Sequence, residues 1–553
     1  MTRLAEVAFV VVVVVIILAV PGPTAAQSAD PLTPLRSPET PAWMTAWSPL
    51  ARLGTREREV PSALPSLRLL DAPAPRVGQL WSTGTPAALA HEADDAWGEL
   101  RFRGGRDEGE YRRPLDARDH RAIQLSALRW QPLGERSGVA GRVVADETTS
   151  DVGSPAIYQV RHSPDPFVFT DTTTPPMRHV RVRLESAYGW RAGPWAIGAG
   201  LGLEMSDDRT RKARAARLGR VSAPALSFGL LRVLSDAGLS VSVFGRWADA
   251  NENSRIALPG GIVTEVVELD GLGDPEPRRA AGPSVVERNV GRNSYALGGG
   301  LAGRLGRWHY VVHGEQEHLK NVHVGSRLTD EVPNRWEAKA WRVGLDALGR
   351  VGPIRAVVSA RYAALDGDAF RRDLEGQGAI FRARQRTFTG SVDLRAADAD
   401  SVWIAGLRVS IARRTRLRRD FLVRVTEDLA DASPGVSVEA ARWLSERVAL
   451  SLGGGFSRYE PAGTIPDSGM FGRIQPEFVA PELAFHAAAA RAYAASATVL
   501  AHLAQGATLV VRGRLDRSRP VGSVSGVGGE RSLWSISAGV AWVGRWAVAH
   551  PRA

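Results

Sequence analysis

The chain has 553 residues, no cysteine, 44% hydrophobic residues and a formal charge of +11. The absence of thiols excludes disulfides and a lipid-modified cysteine behind a leader. Nearly all the positive charge is arginine, since Lys212, Lys320 and Lys339 are the only lysines. No zinc-ligand spacing or nucleic-acid module accompanies that charge, so it reads as compositional bias and nucleic acid is not expected as a partner.

Residues 7–20, VAFVVVVVVIILAV, follow Arg3 and precede Pro21-Gly22-Pro23 and the small Thr24-Ala25-Ala26. A bilayer-spanning helix needs about 20 apolar residues. This shorter run predicts a secretory signal over 1–26, with a retained anchor as the alternative because Glu6 weakens the basic flank. Residues 27–95, rich in Pro, Ala and Ser without periodicity, read as an irregular segment, either periplasmic or inserted into a pore.

From Trp97 the pattern changes to period-two alternation. In RHVRVRLESAYGW, Val180, Val182 and Leu184 alternate with Arg181, Arg183 and Glu185. In PWAIGAGLGLEM, Trp195, Ile197, Leu201, Leu203 and Met205 alternate with small residues, and in SLWSISAGVAWVGRW, Trp534, Ile536, Val540 and Trp542 share a face. Period two with one apolar face is a β-strand signature, and over roughly ten residues it is the transmembrane-barrel signature. Strands are expected near 96–103, 121–131, 137–146, 178–190, 195–205, 221–234, 239–250, 293–304, 308–318, 335–348, 353–364, 380–395, 401–412, 435–443, 448–459, 492–503, 507–516 and 531–546.

The connections between them alternate in kind. PLGER, RAGP, SDAG, GRVGP, AADAD, LSER and Gln505-Gly506 are short and built from turn residues. The segments 147–177, 206–220, 251–292, 319–334, 413–434 and 460–491 are long and charged, and a compact soluble domain rarely carries so many. The expected fold is all-β: a closed antiparallel transmembrane barrel of about 18 strands (16–20) over 96–546, with a tail at 547–553. Closure is required because open strand edges in hydrocarbon leave backbone groups unpaired. A soluble propeller, solenoid or sandwich pair would also alternate, but no fixed repeat supports one.

The pattern from Trp97 to Trp546 resembles the outer-membrane β-barrel class of Gram-negative bacteria. Members end on an alternating strand with a terminal aromatic read by the barrel-insertion machinery, and GVAWVGRW with Trp546 matches this, although AVAHPRA follows it. Gly84-Thr85-Pro86-Ala87-Ala88-Leu89 is similar to the stretch near the entrance of hydrophobic-compound transport barrels, with the expected Asn and final Gly replaced. No plug or coupling box of a TonB-dependent transporter is seen. The resemblance implies an outer-membrane location with both termini periplasmic.

Charged residues on strands are expected to face the lumen, because at the bilayer midplane each would cost about 2–4 kcal/mol on the lipid side. The lumen set is Arg181, Arg183, Glu185, Arg382, Arg384, Arg386, Asp393, Arg395, Arg512, Arg514 and Asp516. Arg209, Arg211, Lys212, Arg214, Arg217 and Arg220, with Arg413, Arg414, Arg416, Arg418 and Arg419, are expected in external connections, where they would touch lipopolysaccharide or a ligand. Trp190, Trp195, Trp247, Trp308, Trp336, Trp341, Trp403, Trp443, Trp534 and Trp546 are candidates for interfacial girdles. His309, His313, His318 and His323, with Glu315 and Glu317, raise a metal or hydrolase site that scattered polar positions explain equally well. The expected function is a channel or transporter for small polar or anionic solutes, with no cofactor, metal or enzymatic activity. The alternative is a structural barrel that contacts lipopolysaccharide, polymer or protein through long loops.

Overall fold

The architecture follows from a computed structural model describing residues 85–543, except 92–95, 111–118, 151–164, 172–175, 211–215, 236–238, 259–262, 271–274, 282–283, 326–333, 353, 372–373, 375–377, 398–402, 423, 446, 465–483, 486, 504–506 and 523–527. The signal at 1–26, the segment 27–84, Trp546 and the tail at 547–553 lie outside the described residues.

Eighteen strands form one sheet. In chain order they are β1 (Trp97–Gly109), β2 (Asp119–Pro132), β3 (Ser137–Ser150), β5 (Met177–Ala192), β6 (Trp195–Thr210), β7 (Ala216–Val233), β8 (Ser240–Leu258), β11 (Ser284–Leu305), β12 (Trp308–Gly325), β13 (Asn334–Val351), β14 (Ile354–Phe370), β15 (Phe381–Ala397), β16 (Trp403–Asp420), β17 (Val425–Trp443), β18 (Val448–Thr464), β19 (Ala490–His502), β20 (Ala507–Pro520) and β21 (Arg531–Val543). Each pairs antiparallel with its neighbour, and β1 pairs with β21 from Trp97↔Val543 to Gly109↔Arg531. That last ladder closes the sheet and removes both edges, as the hydrocarbon argument requires. All eighteen expected strands are present.

Side-chain alternation separates the two faces of the wall. On β6, Ile197, Leu201 and Met205 point outward and are 51%, 62% and 44% exposed, while Ala196 between Trp195 and Ile197 is 1% exposed. Leu100 and Phe102 on β1, Leu230 on β7, Val243 on β8 and Ile536 on β21 continue this outward apolar belt. Trp190, Trp195, Trp247, Trp341, Trp403 and Trp534 are exposed with it. Trp308 is instead buried against Ala347, Ala356 and Val358, and Trp336 packs in an interior cluster with Phe381.

The strands run beyond their apolar portions at the end opposite the chain termini, called the far end below. Segment 413–434 is therefore not a long connection: β16 continues to Asp420, β17 starts at Val425, and Arg424 just before it has φ 58°. Likewise 206–220 is mostly strand, in β6 and β7. Connections at the near end stay short, such as Gly193-Pro194 and Gly306-Arg307.

A second sheet of order β10-β9-β4 is formed by β4 (Phe167–Asp171), β9 (Val263–Asp270) and β10 (Pro275–Ala281) at the far end. Its anchor is Phe167, fully buried among Trp336, Ala338, Ala369, Ile380 and Phe381. The preceding Asp165 carboxylate accepts from Asn321 Nδ2 at 2.7 Å, His323 Nε2 at 2.8 Å and the Phe167 N–H at 3.1 Å. His323 Nδ1 lies 2.7 Å from the Arg288 guanidinium. These partners assign a neutral imidazole, donating at Nε2 and accepting at Nδ1.

Candidate functional site

The interior divides into a filled side and an open side. On the filled side, Arg181 meets Asp146 at 2.9 Å, Arg183 meets Glu204 at 2.8 Å, and Arg142 meets Glu185 at 3.7 Å. Further round, Arg361 holds Asp346 at 2.6 Å and Arg342 holds Glu315 at 2.7 Å. Arg181, Arg183 and Glu185 thus take the inward face and are tied to neighbouring strands rather than lining a path.

The same side seats a 3-10 helix, Pro86–His91. Gly189, Gly198 and Gly229 are register partners on β5, β6 and β7 and form a bare row across the inner wall. A Cβ at Gly198 would lie 2.4 Å from Ala87 N, and one at Gly229 would lie 1.7 Å from Thr85 Oγ1. Only glycine permits this backbone approach. Ala87, Ala88 and Ala90 pack there against Ala196 and Leu231, and Leu89 is 1% exposed. The 27–95 segment therefore contributes its last part, 85–91, to the barrel interior.

The open side is a cavity of about 590 Å³ along β15–β21. Small inward residues on β18 and β19 (Gly453, Gly455, Ala494 and Ser496) recess the wall. Charged residues flank the recess: Arg512, Arg514 and Asp516 on β20, Glu439 on β17, Arg408 on β16, and Asp393 and Arg395 on β15. One register row runs Arg514–Ser496–Gly453–Glu439–Gly406–Arg395, and the next runs Asp516–Ala494–Gly455–Ser437–Arg408–Asp393. Arg514 binds Asp516 through 2.7 and 2.6 Å hydrogen bonds, and Arg395 binds Asp393 at 3.1 and 3.2 Å. The Arg512 Nε is buried without a partner among the described residues. Arg103 on β1 stands in the same row as Arg512, with only Ser537 between them.

Five of the lumen candidates, Asp393, Arg395, Arg512, Arg514 and Asp516, thus converge on one cavity. Arg382, Arg384 and Arg386 do not join them. Phe381 and Ala383 take the inward positions of β15, which turns these arginines outward, where Arg382 meets Asp368 at 2.6 Å and Arg384 meets Asp366 at 2.7 Å. The odd separation between 386 and 393 places the two groups on opposite faces. Arg103, Arg408 and Glu439 were not singled out from the sequence, although LRFRGG alternates visibly around Arg101 and Arg103.

The set assigned to external loops also divides. Arg414, Arg416 and Arg418 face inward on β16, with Arg414 at 3.3 Å from Asp431 and Arg416 at 2.7 Å from Glu427, which also pairs with Arg418. Carboxylates on the adjacent strand draw these side chains into the interior. Arg413 takes the opposite face to Arg414, and Arg419 is exposed near the turn, its Nε 3.4 Å from Thr426 Oγ1. Arg209 and Arg220 are exposed on β6 and β7 beside Asp207. Arg217 lies in β7, whereas Arg211, Lys212 and Arg214 lie outside the described residues. His309, His313 and His323 share the inward face of β12, while His318 stacks outside on Tyr295 at 4.8 Å. Among the described residues no three His, Asp or Glu side chains converge as a metal site.

A closed 18-strand wall, apolar outside and charged within, defines the outer-membrane barrel class. The chain belongs to the family described as "Family of unknown function (DUF6850)", whose profile matches residues 86–541. No curated protein matches the chain. Among solved structures, the alcaligin outer membrane receptor FauA from Bordetella pertussis is similar at 10% identity and TM-score 0.40, covering 81% of this chain and 76% of that one. OccAB3 from Acinetobacter baumannii is similar at 10% identity and TM-score 0.37, covering 81% of this chain and 100% of that one. A FadL homologue from Pseudomonas aeruginosa reaches 9% identity and TM-score 0.32, covering 85% and 94%. Likeness at this level carries no argument about cargo.

Proposed function

We propose that this protein is an outer-membrane channel or transporter that passes small anionic solutes through the arginine-flanked cavity, with its chain termini in the periplasm. The carrying observation is that Arg512 projects into a water-accessible recess with a buried Nε that has no partner among the described residues, while Arg395, Arg408 and Arg514 stand around the recess with Asp393, Glu439 and Asp516. A unit charge about 4 Å from an anion is worth roughly 1 kcal/mol in water and about 4 kcal/mol at an effective dielectric near 20. The small-residue floor leaves room for a solute carboxylate or phosphate, which arginine binds in a fork. No covalent chemistry is needed for this role, and we read the barrel as non-enzymatic.

The test is reversal potential in planar bilayers under a salt gradient. Wild type should favour chloride over potassium. Arg512→Glu with Arg103→Glu should lower that ratio at least about fivefold, the value of 1 kcal/mol. A folded barrel whose selectivity ignores both charges would overturn the reading.

A second reading, a surface-binding barrel, draws on the far-end sheet that Phe167 pins into the mouth. Retention of an envelope partner that depends on residues 259–283, with no conductance from wild type or any variant, would favour it.

A further inference from the structure

The outward face of β18–β20 carries a basic row three strands wide. Arg458, Arg491 and Arg519 are direct register partners on three successive strands. Directly opposed residues have Cα atoms about 4.5–5.5 Å apart, so the three guanidinium groups can reach one small anion. Like charges facing each other across a ladder destabilise it by roughly 0.2–1 kcal/mol per pair. Elsewhere on the outer wall opposed arginines come in pairs with a carboxylate at hand: Arg178 faces Arg209 and has Glu147 at 2.8 Å, and Arg382 faces Arg419 and has Asp368 at 2.6 Å. Here Arg458 has Glu460 at 3.0 Å, but Arg491 and Arg519 meet no carboxylate among the described residues, and both are exposed.

The row is also placed at a boundary. One step toward the near end, the same strands present Phe456, Tyr493 and Arg517 in register. Phe456 and Tyr493 are exposed, with ring centroids 5.3 Å apart. Beyond them Leu515 and Trp534 pair on the same outward face. Arginines standing directly above aromatic and aliphatic side chains match a ligand that is anionic at its head and apolar in its tail. Arginine suits phosphate in particular, because its planar fork donates two parallel hydrogen bonds.

We infer that Arg458, Arg491 and Arg519 form a docking site for a phosphorylated lipid of the outer leaflet, with the phosphate on the arginine row and acyl chains over Phe456, Tyr493 and Leu515. This rests on the proposed orientation, in which the far end faces outward. The phosphate supplies the counter-charge that the neighbouring strands omit, and it draws three repelling side chains together.

The test uses the full barrel in detergent and lipid A as probe, with dephosphorylated lipid A and inorganic phosphate beside it. Native mass spectrometry should show lipid A retained, with affinity falling about tenfold for each of Arg491→Ala and Arg519→Ala, roughly the weight of one hydrogen bond to a charged group. Arg382→Ala, on another part of the wall, should leave retention unchanged, and heat-modifiable gel migration checks folding. Equal retention by wild type and the Arg491→Ala/Arg519→Ala double variant overturns the site. So does binding of inorganic phosphate or dephosphorylated lipid A as tight as that of lipid A. An epitope placed in 465–489 and probed on intact cells tests orientation separately. A tag reached only after lysis removes the outer-leaflet assignment, whereas a surface-reachable tag with unchanged retention in the double variant removes the site alone.

Discussion

The row of Gly189, Gly198 and Gly229 makes the seating of residues 85–91 open to a single substitution. Gly198→Val places a Cβ 2.4 Å from both Ala87 N and the Pro86 carbonyl carbon. These are backbone atoms of the 3-10 helix, so no flexible side-chain end can yield. Overpacking of this kind costs about 1–3 kcal/mol, and at 1.4 kcal/mol per decade the docked-to-undocked ratio should fall about 5- to 150-fold. The barrel itself should tolerate the change, because valine suits a strand and the outward face of β6 is untouched. With no native cysteine, Leu89→Cys supplies a single thiol at a position 1% exposed in the native protein. Its rate of maleimide labelling should rise about 5- to 150-fold in the Gly198→Val background, with heat-modifiable migration retained. Identical rates in both backgrounds would refute the glycine-niche reasoning.

Leu201→Arg, on the outward belt of β6, should lose roughly 2–4 kcal/mol if it lies near the midplane, measured by reversible unfolding from lipid vesicles. Glu427 is fully buried and holds both Arg416 and Arg418. Glu427→Ala should therefore weaken the far end of β16–β17 by about 3–5 kcal/mol, seen as faster amide exchange confined to 413–431. At Asp165, burial alone would raise the carboxyl pKa, but the hydrogen bonds it accepts from His323, Asn321 and the Phe167 N–H bring it below its ordinary value. A depressed folded pKa adds stability above the unfolded value of about 3.9. The anchor should hold at neutral pH and release as pH falls through the lower folded value, with proteolysis at 172–175 as the readout and Asp165→Ala open at every pH.

The membrane wall was legible in the sequence because each strand's apolar half obeys period two. The far halves were not. Arg413–Asp420 carries charge on both faces, so its apolar signal vanishes, yet its ladder with β15 and β17 continues residue by residue. Strand β10 includes Pro275 and Pro277, which hid it inside a connection. For the site, spacing two puts Arg512, Arg514 and Asp516 on one face, whereas Arg382, Arg384 and Arg386 stand an odd number of residues from Asp393 and so take the opposite face. The excess of positive charge in the cavity depends on which strands stand opposite one another, and no single segment encodes that. Nor does any segment show by itself that Gly189, Gly198 and Gly229 align.

The ladder between β1 and β21 has a consequence for the timing of assembly. It joins Trp97 to Val543, and Asp107 at its far end is held by Arg531 at 2.8 Å, a contact 424 residues apart in sequence. Closing so long a loop comes late and slowly. Until the last strand is delivered, every shorter form of the chain exposes two unsatisfied edges, so losing β21 would leave an open sheet rather than a smaller barrel. Every strand from β1 to β21 of the main sheet must therefore be present before the wall has no open edge.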